Sequence, residues 1–318
     1  MNYVDRNFEW LTSEIKGKTK IEVFEHIKKK YQLLPLAVKQ SMEQFLSDFP
    51  YWGVLDDQKK VYEEIHNKAE SLHDHIDDYR WLYQHLKDYR SKKLLFAILY
   101  NWYDYDFTTL KELMDQTYCH YFDLDIVTCD QEILVDVGAY IGDSTLDFIH
   151  SYGLDAYQKI YCYEMTDETF LNLQTNVKDY PNIVCRKKAV TDRQEVVSMD
   201  TNRVNASANV LVDNGNTFVE TVTLDDDISE PITMVKMDIE GAETKALLGC
   251  RRHIVEDHPK LLLSVYHNHE DLWKIPKMIE EICPGYEFYL RFYGSNIFPT
   301  EIVLFAIYPE KNEIKKSI

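Results

Sequence analysis

Several features are missing or scarce in this 318-residue chain, and each absence excludes something. None of the six cysteines (Cys119, Cys129, Cys162, Cys185, Cys250 and Cys283) forms a C-x-x-C pair, which removes the usual zinc and redox spacing. Several fall in apolar, strand-like runs. They are expected to be free, buried thiols in a reducing compartment, not disulfides. Long apolar runs are also missing: LLFAILY at 94–100 is far short of the ~20 residues that span a bilayer, and MNYVDRNFEW at the start has no apolar signal core. The expectation is a cytoplasmic protein without a membrane span. Positive charge is in deficit, with 35 Lys and Arg against 54 Asp and Glu and a formal charge of −19. Such a chain repels phosphate backbones, so nucleic acid is excluded as a partner. No internal repeat or low-complexity tract is present.

One further absence is more specific. A buried run, ILVDV at 133–137, leads into GAYIGD at 138–143, where a dinucleotide site would carry G-x-G-x-x-G against a pyrophosphate. Here the conspicuous residue is an acid, Asp136, and the middle glycine position is Tyr140. An acid near the turn suits a nucleoside cofactor with a positive amino-acid moiety and no phosphate, which describes S-adenosylmethionine. Glu164 ends the next apolar run, IYCYE, where a carboxylate accepts from ribose hydroxyls. Gly138 and Gly142 let the backbone turn tightly beside a ligand.

The two halves of the chain differ in character. Residues 1–117 read as a helical region, with breaks at Pro35, Pro50 and Gly53. Within it Tyr62, Ile65, Ala69, Leu72, Ile76, Tyr79, Tyr83 and Leu86 keep a heptad spacing. That seam reads as one long helix packed inside its own subunit, or else as a hairpin or homodimer contact. A further helix is expected at 91–103. From residue 118 to 310, β-rich runs alternate with helical patterns, the mark of an α/β sheet. Strands are expected at 133–137, 159–163, 182–188, 232–237 and 260–266, with an antiparallel pair at 286–292 and 302–308. Helices are expected at 142–152, 166–177, 242–248 and 270–282, the last interrupted or bent at Pro276. Residues 193–224, with a DNGN turn at 213–216, read as a β-rich insertion, and 311–318 as a basic tail.

Ligands of an open α/β sheet bind beyond the carboxyl ends of its strands. The run VKMDIEGAE at 235–243 puts Asp238 at a strand end and Glu240 and Glu243 in the first helical turn. Such carboxylates act as acid or base, contact a cofactor amino group, or cap the helix; capping suits Glu243 best. The run SVYHNHEDLW at 264–273 puts His267 just past a strand, where it can take a proton from a hydroxyl at neutral pH. It serves equally as a hydrogen-bonded loop residue, the better reading for His269. A metal is permitted by Asp238, Glu240 and His267 but not called for, and none is expected.

DVGAYIGDST, YCYE, VKMDIEGAE, LLLSVYHNHEDLW and EIVLFAIY, in this order and each at a strand end, resemble the FkbM family of S-adenosylmethionine-dependent methyltransferases over about 118–308. LKDYRSKKLLFAILY is similar to the N-terminal helical segments of longer members. The resemblance implies the class I methyltransferase fold, Rossmann-like, with a seven-stranded doubly wound sheet and one antiparallel strand. It also implies methyl transfer to oxygen on a sugar, a polysaccharide or a natural product. It further implies that Asp136, Gly138 and Gly142 line the methionine part of the cofactor, that Glu164 holds the ribose, that Ala189 and Val190 border the adenine, and that Asp238 faces the methyl group or substrate. Tyr140 departs from the pattern, and its side chain must point away from the cofactor or cover it. The catalytic base is then His267 or Asp238, with His267 preferred for its near-neutral pKa. The rival readings are a non-enzymatic scaffold whose helical arm docks a partner, and a nicotinamide-dependent oxidoreductase, which the missing G-x-G-x-x-G disfavours.

Overall fold

The computed structural model of the chain describes residues 1–49, 51–200, 210–212, 217–295 and 297–311. The expected break at Pro50, the turn at 213–216 and the tail beyond 311 lie outside these residues.

Apolar stripes on short helices organise the first part of the chain. The helices are α1 (Tyr3–Lys16), α2 (Lys20–Gln32), α3 (Leu36–Asp48), α4 (Glu63–Asp74), α5 (Ile76–His85) and α6 (Tyr89–Asp104). Capping boxes at Asn2 with Asp5 and at Thr19 with Glu22 start α1 and α2; each satisfies two otherwise orphaned amides. The seam residues do not lie on one helix. The helix breaks at His75 (φ −116°, ψ 19°), which ends α4 and precedes α5. His75 Nδ1 pairs with Asp78 Oδ2 at 2.9 Å, and Asp77 and Asp78 supply acid to the new first turn, where the helix dipole favours it. Seven of the eight seam residues, all but Tyr62, are buried, with α4 packed on α2 and α6, and α5 on α1. The seam is thus used up inside its own unit.

The α/β part is built on β1 (Glu132–Val137), β2 (Tyr157–Tyr163), β3 (Ile183–Arg186), β4 (Ala189–Val190), β5 (Val196–Asp200), β6 (Val210–Val212), β7 (Thr217–Val222), β8 (Met234–Met237), β9 (Lys260–Ser264), β10 (Glu287–Phe292) and β11 (Ile302–Ile307). A seven-stranded mixed sheet has the order β10-β11-β9-β8-β1-β2-β3. The pairs β3/β2, β2/β1, β1/β8 and β8/β9 are parallel, and β10 and β11 form the antiparallel terminal pair. The near-continuous apolar runs of β8, β9 and β11 are buried along their whole length, as strands covered on both faces must be. The described strands of the expected insertion at 193–224, β5, β6 and β7, form with β4 just before it a separate four-stranded sheet of order β4-β7-β5-β6. Helices α7 (Asp143–Tyr152), α8 (Asp167–Val177), α9 (Glu243–Leu248) and α10 (Asp271–Ile282) complete the frame used below. The helix α10 continues through Pro276. All six cysteines are free, and Cys162, Cys250 and Cys283 are buried. Among the described residues no helix is long and apolar enough to cross a membrane.

The chain divides into two compact units. The first comprises Met1–Asp115, Val265–Lys277 and Phe288–Val303; the second comprises Gln116–Ser264, Met278–Glu287 and the chain from Leu304. The expected division between 117 and 118 lies close to the first boundary, but two later segments join the helices. Their side chains explain why. The Trp52 indole donates to the Tyr266 carbonyl at 2.8 Å, the Tyr79 hydroxyl to the His269 carbonyl at 2.8 Å, and Arg291 Nη2 to Asp88 Oδ2 at 2.8 Å.

Candidate active site

Strand order reverses between β1 and β8, so the second unit has its crevice beyond the carboxyl ends of these two strands. The turn after β1 is tightly constrained. Gly138 N and Ala139 N both donate to the Tyr163 carbonyl at the end of β2, at 3.0 and 2.9 Å. Gly138 sits at φ +75°, and a Cβ there would lie 1.9 Å from the Asp238 carbonyl oxygen. Only glycine fits. Tyr140 takes φ +47°, a left-handed conformation that costs a non-glycine residue strain. The departure noted in the sequence is therefore a tyrosine held in a backbone conformation that glycine adopts freely. Gly142 (φ +89°) precedes α7, with its Cβ position 3.0 Å from both Leu173 Cδ1 and Val177 Cγ1 of α8.

Asp136 ends inside the sheet, not on its rim. Its Oδ2 accepts from the Ser144 and Thr145 hydroxyls, each at 2.7 Å, and its Oδ1 pairs with Lys236 Nζ at 3.1 Å. Lys236 stands directly across from it in the β1/β8 register and also donates to the Gly138 carbonyl at 2.8 Å. Burial pushes the Lys236 pKa down, but Asp136, Asp238 and Asp143 outweigh it and the net direction is up. The buried ammonium therefore stays charged and braces the Gly138 turn.

Glu164 follows β2 and is almost fully buried, at 9 % exposed. It accepts from the Thr166 amide at 2.7 Å. Burial nonetheless raises its pKa above the ordinary 4.5, outweighing the lowering influence of the polar groups of Thr166, Thr169 and Tyr140. Thr166 occupies the N-cap position of α8 but makes no side-chain capping bond there. Met165 packs on the apolar cluster of Ala189, Met199 and Val219, and Val190 is buried beside Ala189 in β4.

Asp238 follows β8. Tyr121 donates its hydroxyl to Asp238 Oδ2 at 2.7 Å and is 2.9 Å from Ser264 Oγ at the end of β9. The Tyr121 ring lies 5.2 Å from Lys236 Nζ and stacks on His120 at 3.9 Å. Burial pushes His120 down to about 4, so it is neutral at physiological pH. Glu243 Oε1 accepts from the Ile239 amide at 3.0 Å, in the turn before α9, and not from an amide of the helix that it was expected to cap. Glu240 is not in the first helical turn: it lies in the turn before α9, at φ +58° and next to Gly241 at φ +92°.

In the first unit, the loop after β9 carries His267, which is 1 % exposed. The Tyr51 ring meets it edge-on at 5.2 Å and Tyr266 lies at 4.2 Å. His269 sits between the Trp52 and Trp102 rings at 5.5 and 4.8 Å. Burial holds its pKa well below 6.5, so His269 is a neutral packing residue. Asn268 and Asp271 close the loop reciprocally, through Asn268 N to Asp271 Oδ2 at 2.8 Å and Asp271 N to the Asn268 carbonyl at 3.1 Å.

Residues 136–294, which hold Asp136, Gly138, Glu164, Asp238 and His267, match the family model of the methyltransferase FkbM domain. The chain belongs to the FkbM methyltransferase family. A solved structure of methyltransferase FkbM from Methylobacillus flagellatus KT is similar, with TM-score 0.68 and 24 % identity over 83 % of this chain and 65 % of that one. The chain thus spans less than two thirds of that relative, and the likeness is one of fold. Fibrillarin from Aeropyrum pernix, in complex with natively bound S-adenosyl-L-methionine, gives TM-score 0.38 and 12 % identity over 56 % and 67 %. An rRNA methylase from Streptococcus thermophilus gives TM-score 0.36 and 14 % identity over 57 % and 88 %. No curated protein matches the sequence.

Two residues of the FkbM chain's crevice escaped the sequence reading. Lys236 was legible: a lysine inside the apolar run MVKM needs a buried acid, and Asp136 is on the adjacent strand. Tyr121 was not, because the segment before β1 has neither helical nor strand periodicity.

Proposed function

We propose that this FkbM-family protein transfers a methyl group from S-adenosylmethionine to a hydroxyl oxygen on a sugar, polysaccharide or natural product. When bound, the cofactor supplies a methyl group already activated on a sulfonium. The chain's own residues must hold the donor, exclude water, align the acceptor oxygen and take its proton.

The observation that carries this reading is Glu164. It is a buried carboxylate directly after β2, held by the Thr166 amide at 2.7 Å, and a carboxylate has acceptor capacity for further donors. A ribose offers two hydroxyls to such a group. The apolar cluster of Ala189, Met199 and Val219, with Met165 directly after Glu164, suits the flat face of an adenine, with Val190 beside it. Gly138 and Gly142, with the Tyr140 amide, shape the backbone toward the amino-acid part of the donor. Asp136 supports that turn from below through Lys236, Ser144 and Thr145. Asp238 is assigned to the cofactor's amino-acid end, and His267, three residues past β9, to the acceptor proton.

Isothermal calorimetry on wild type and Glu164→Ala tests the cofactor. Wild type binds S-adenosylmethionine and not NAD, and the variant binds it at least tenfold more weakly; equal affinities overturn the ribose assignment. Methyl transfer by His267→Ala with wild-type rate and pH dependence, across a panel of sugar acceptors, removes His267 from the base role.

A further inference from the structure

We infer that Tyr121 is a positioning residue that fixes the Asp238 carboxylate toward the ammonium of the cofactor's amino-acid end. This rests on the S-adenosylmethionine reading above. Tyr121 lies outside the family-matched residues 136–294, in the irregular segment before β1. It is 3 % exposed and sits at φ +70°. A non-glycine residue stays in that left-handed region only where its surroundings over-determine it.

Its ring and its hydroxyl both have partners that do so. The ring faces Lys236 Nζ at 5.2 Å and stacks on His120 at 3.9 Å, and the hydroxyl ties Asp238 Oδ2 to Ser264 Oγ. The ring contacts need only a phenyl group. The hydroxyl is needed only for the strand ends, and its 2.7 Å bond to Asp238 is a charge-assisted one. That bond selects one carboxylate orientation at the rim of the crevice, beside the Gly138 turn. A carboxylate held in this way pre-pays the ordering that binding an ammonium requires.

Calorimetry with two probes tests this. S-adenosylmethionine carries the amino acid; 5′-methylthioadenosine keeps the nucleoside and sulfur but lacks it. Tyr121→Phe is expected to weaken S-adenosylmethionine about tenfold and to leave 5′-methylthioadenosine within about twofold. A loss of the same size for both probes marks a merely structural residue, and no loss for the first leaves the hydroxyl without a role; either overturns the proposal. Ser264→Ala should stay within about twofold for both probes, and a loss matching that of Tyr121→Phe transfers the role to Ser264 and overturns it. Asp238→Asn, which retains an acceptor for Tyr121, is the second variant should Tyr121→Phe not fold. It should lose S-adenosylmethionine affinity selectively, and unchanged affinity overturns the proposal. Wild type that binds neither probe overturns the cofactor reading itself, whereas Glu164→Ala weakening both probes while Tyr121→Phe changes neither overturns this inference alone.

Discussion

Gly138 and Asp238 meet backbone to backbone across the switch point of the sheet, with 1.9 Å between the place a Gly138 Cβ would take and the Asp238 carbonyl oxygen. The turn that would cradle the donor's amino acid and the strand end that carries Asp238 are therefore one packed element. Gly138→Ala must both leave φ +75° and push the end of β8 away. We expect a loss of about 3 kcal/mol, above the ~1 kcal/mol of an ordinary glycine substitution, with cofactor affinity falling in parallel. Urea unfolding measures the first, and a loss under about 1 kcal/mol would show that the turn can relax.

Lys236 and Asp136 form a buried pair, 3 % and 1 % exposed. Lys236→Met leaves Asp136 with two hydroxyl donors and no counter-charge, at a cost of about 3–5 kcal/mol. The pH sign follows from the raised lysine pKa. The pair's stabilisation is complete below the unfolded lysine value of about 10.5 and is lost as pH rises through the higher folded value. Urea midpoints from about pH 10 to 12 should fall more steeply in wild type than in Lys236→Met; parallel slopes would remove the pair from the alkaline stability of the protein.

How much of this could be read beforehand depended on the range of each interaction. The strand ends Asp136, Glu164 and Asp238 were legible because a covered parallel strand is an unbroken apolar run and its last residue is easy to place. The spacing at 62–86 does not reveal the break between α4 and α5, because heptad spacing is indifferent to a break that keeps register. His75 interrupts the backbone while Ile76 and Tyr79 remain on the buried side. The bonds from Trp52 to Tyr266 and from Tyr79 to His269 join residues about two hundred positions apart, and no local pattern encodes them.

Glu164 should make cofactor binding depend on pH. Burial raises its pKa above 4.5, so the free protein disfavours the carboxylate, and ribose hydroxyls would favour it. Affinity for S-adenosylmethionine should therefore be full above the raised pKa and weaken as pH falls through it, while Glu164→Gln binds weakly with little pH dependence. The same burial opposes folding at neutral pH, where the group is charged, and that penalty is relieved as pH falls through the folded value. Without ligand, Glu164→Gln should then melt higher than wild type at pH 7. Calorimetry from pH 5 to 8 and thermal melts check both. A flat wild-type affinity profile would sink the assignment.

In the first unit, Trp52 and Tyr79 hold the loop of His267 and His269 by its carbonyls, and the Trp52 ring also packs on that of His269. Trp52→Phe removes the indole donor from the Tyr266 carbonyl and leaves a small void, at a cost of about 1–3 kcal/mol. Tyr79→Phe removes the donor to the His269 carbonyl, and the partner of Ser71 Oγ at 2.6 Å, at a similar cost. Because both anchors restrain the same few residues, the double variant should lose less than the sum of the two: once one carbonyl is released, the loop already samples conformations in which the other bond is broken. Amide exchange in 265–271 should rise in each single variant while the capped start of α1 keeps its protection. Unchanged exchange in 265–271 would mean that the reciprocal Asn268–Asp271 turn holds the loop by itself.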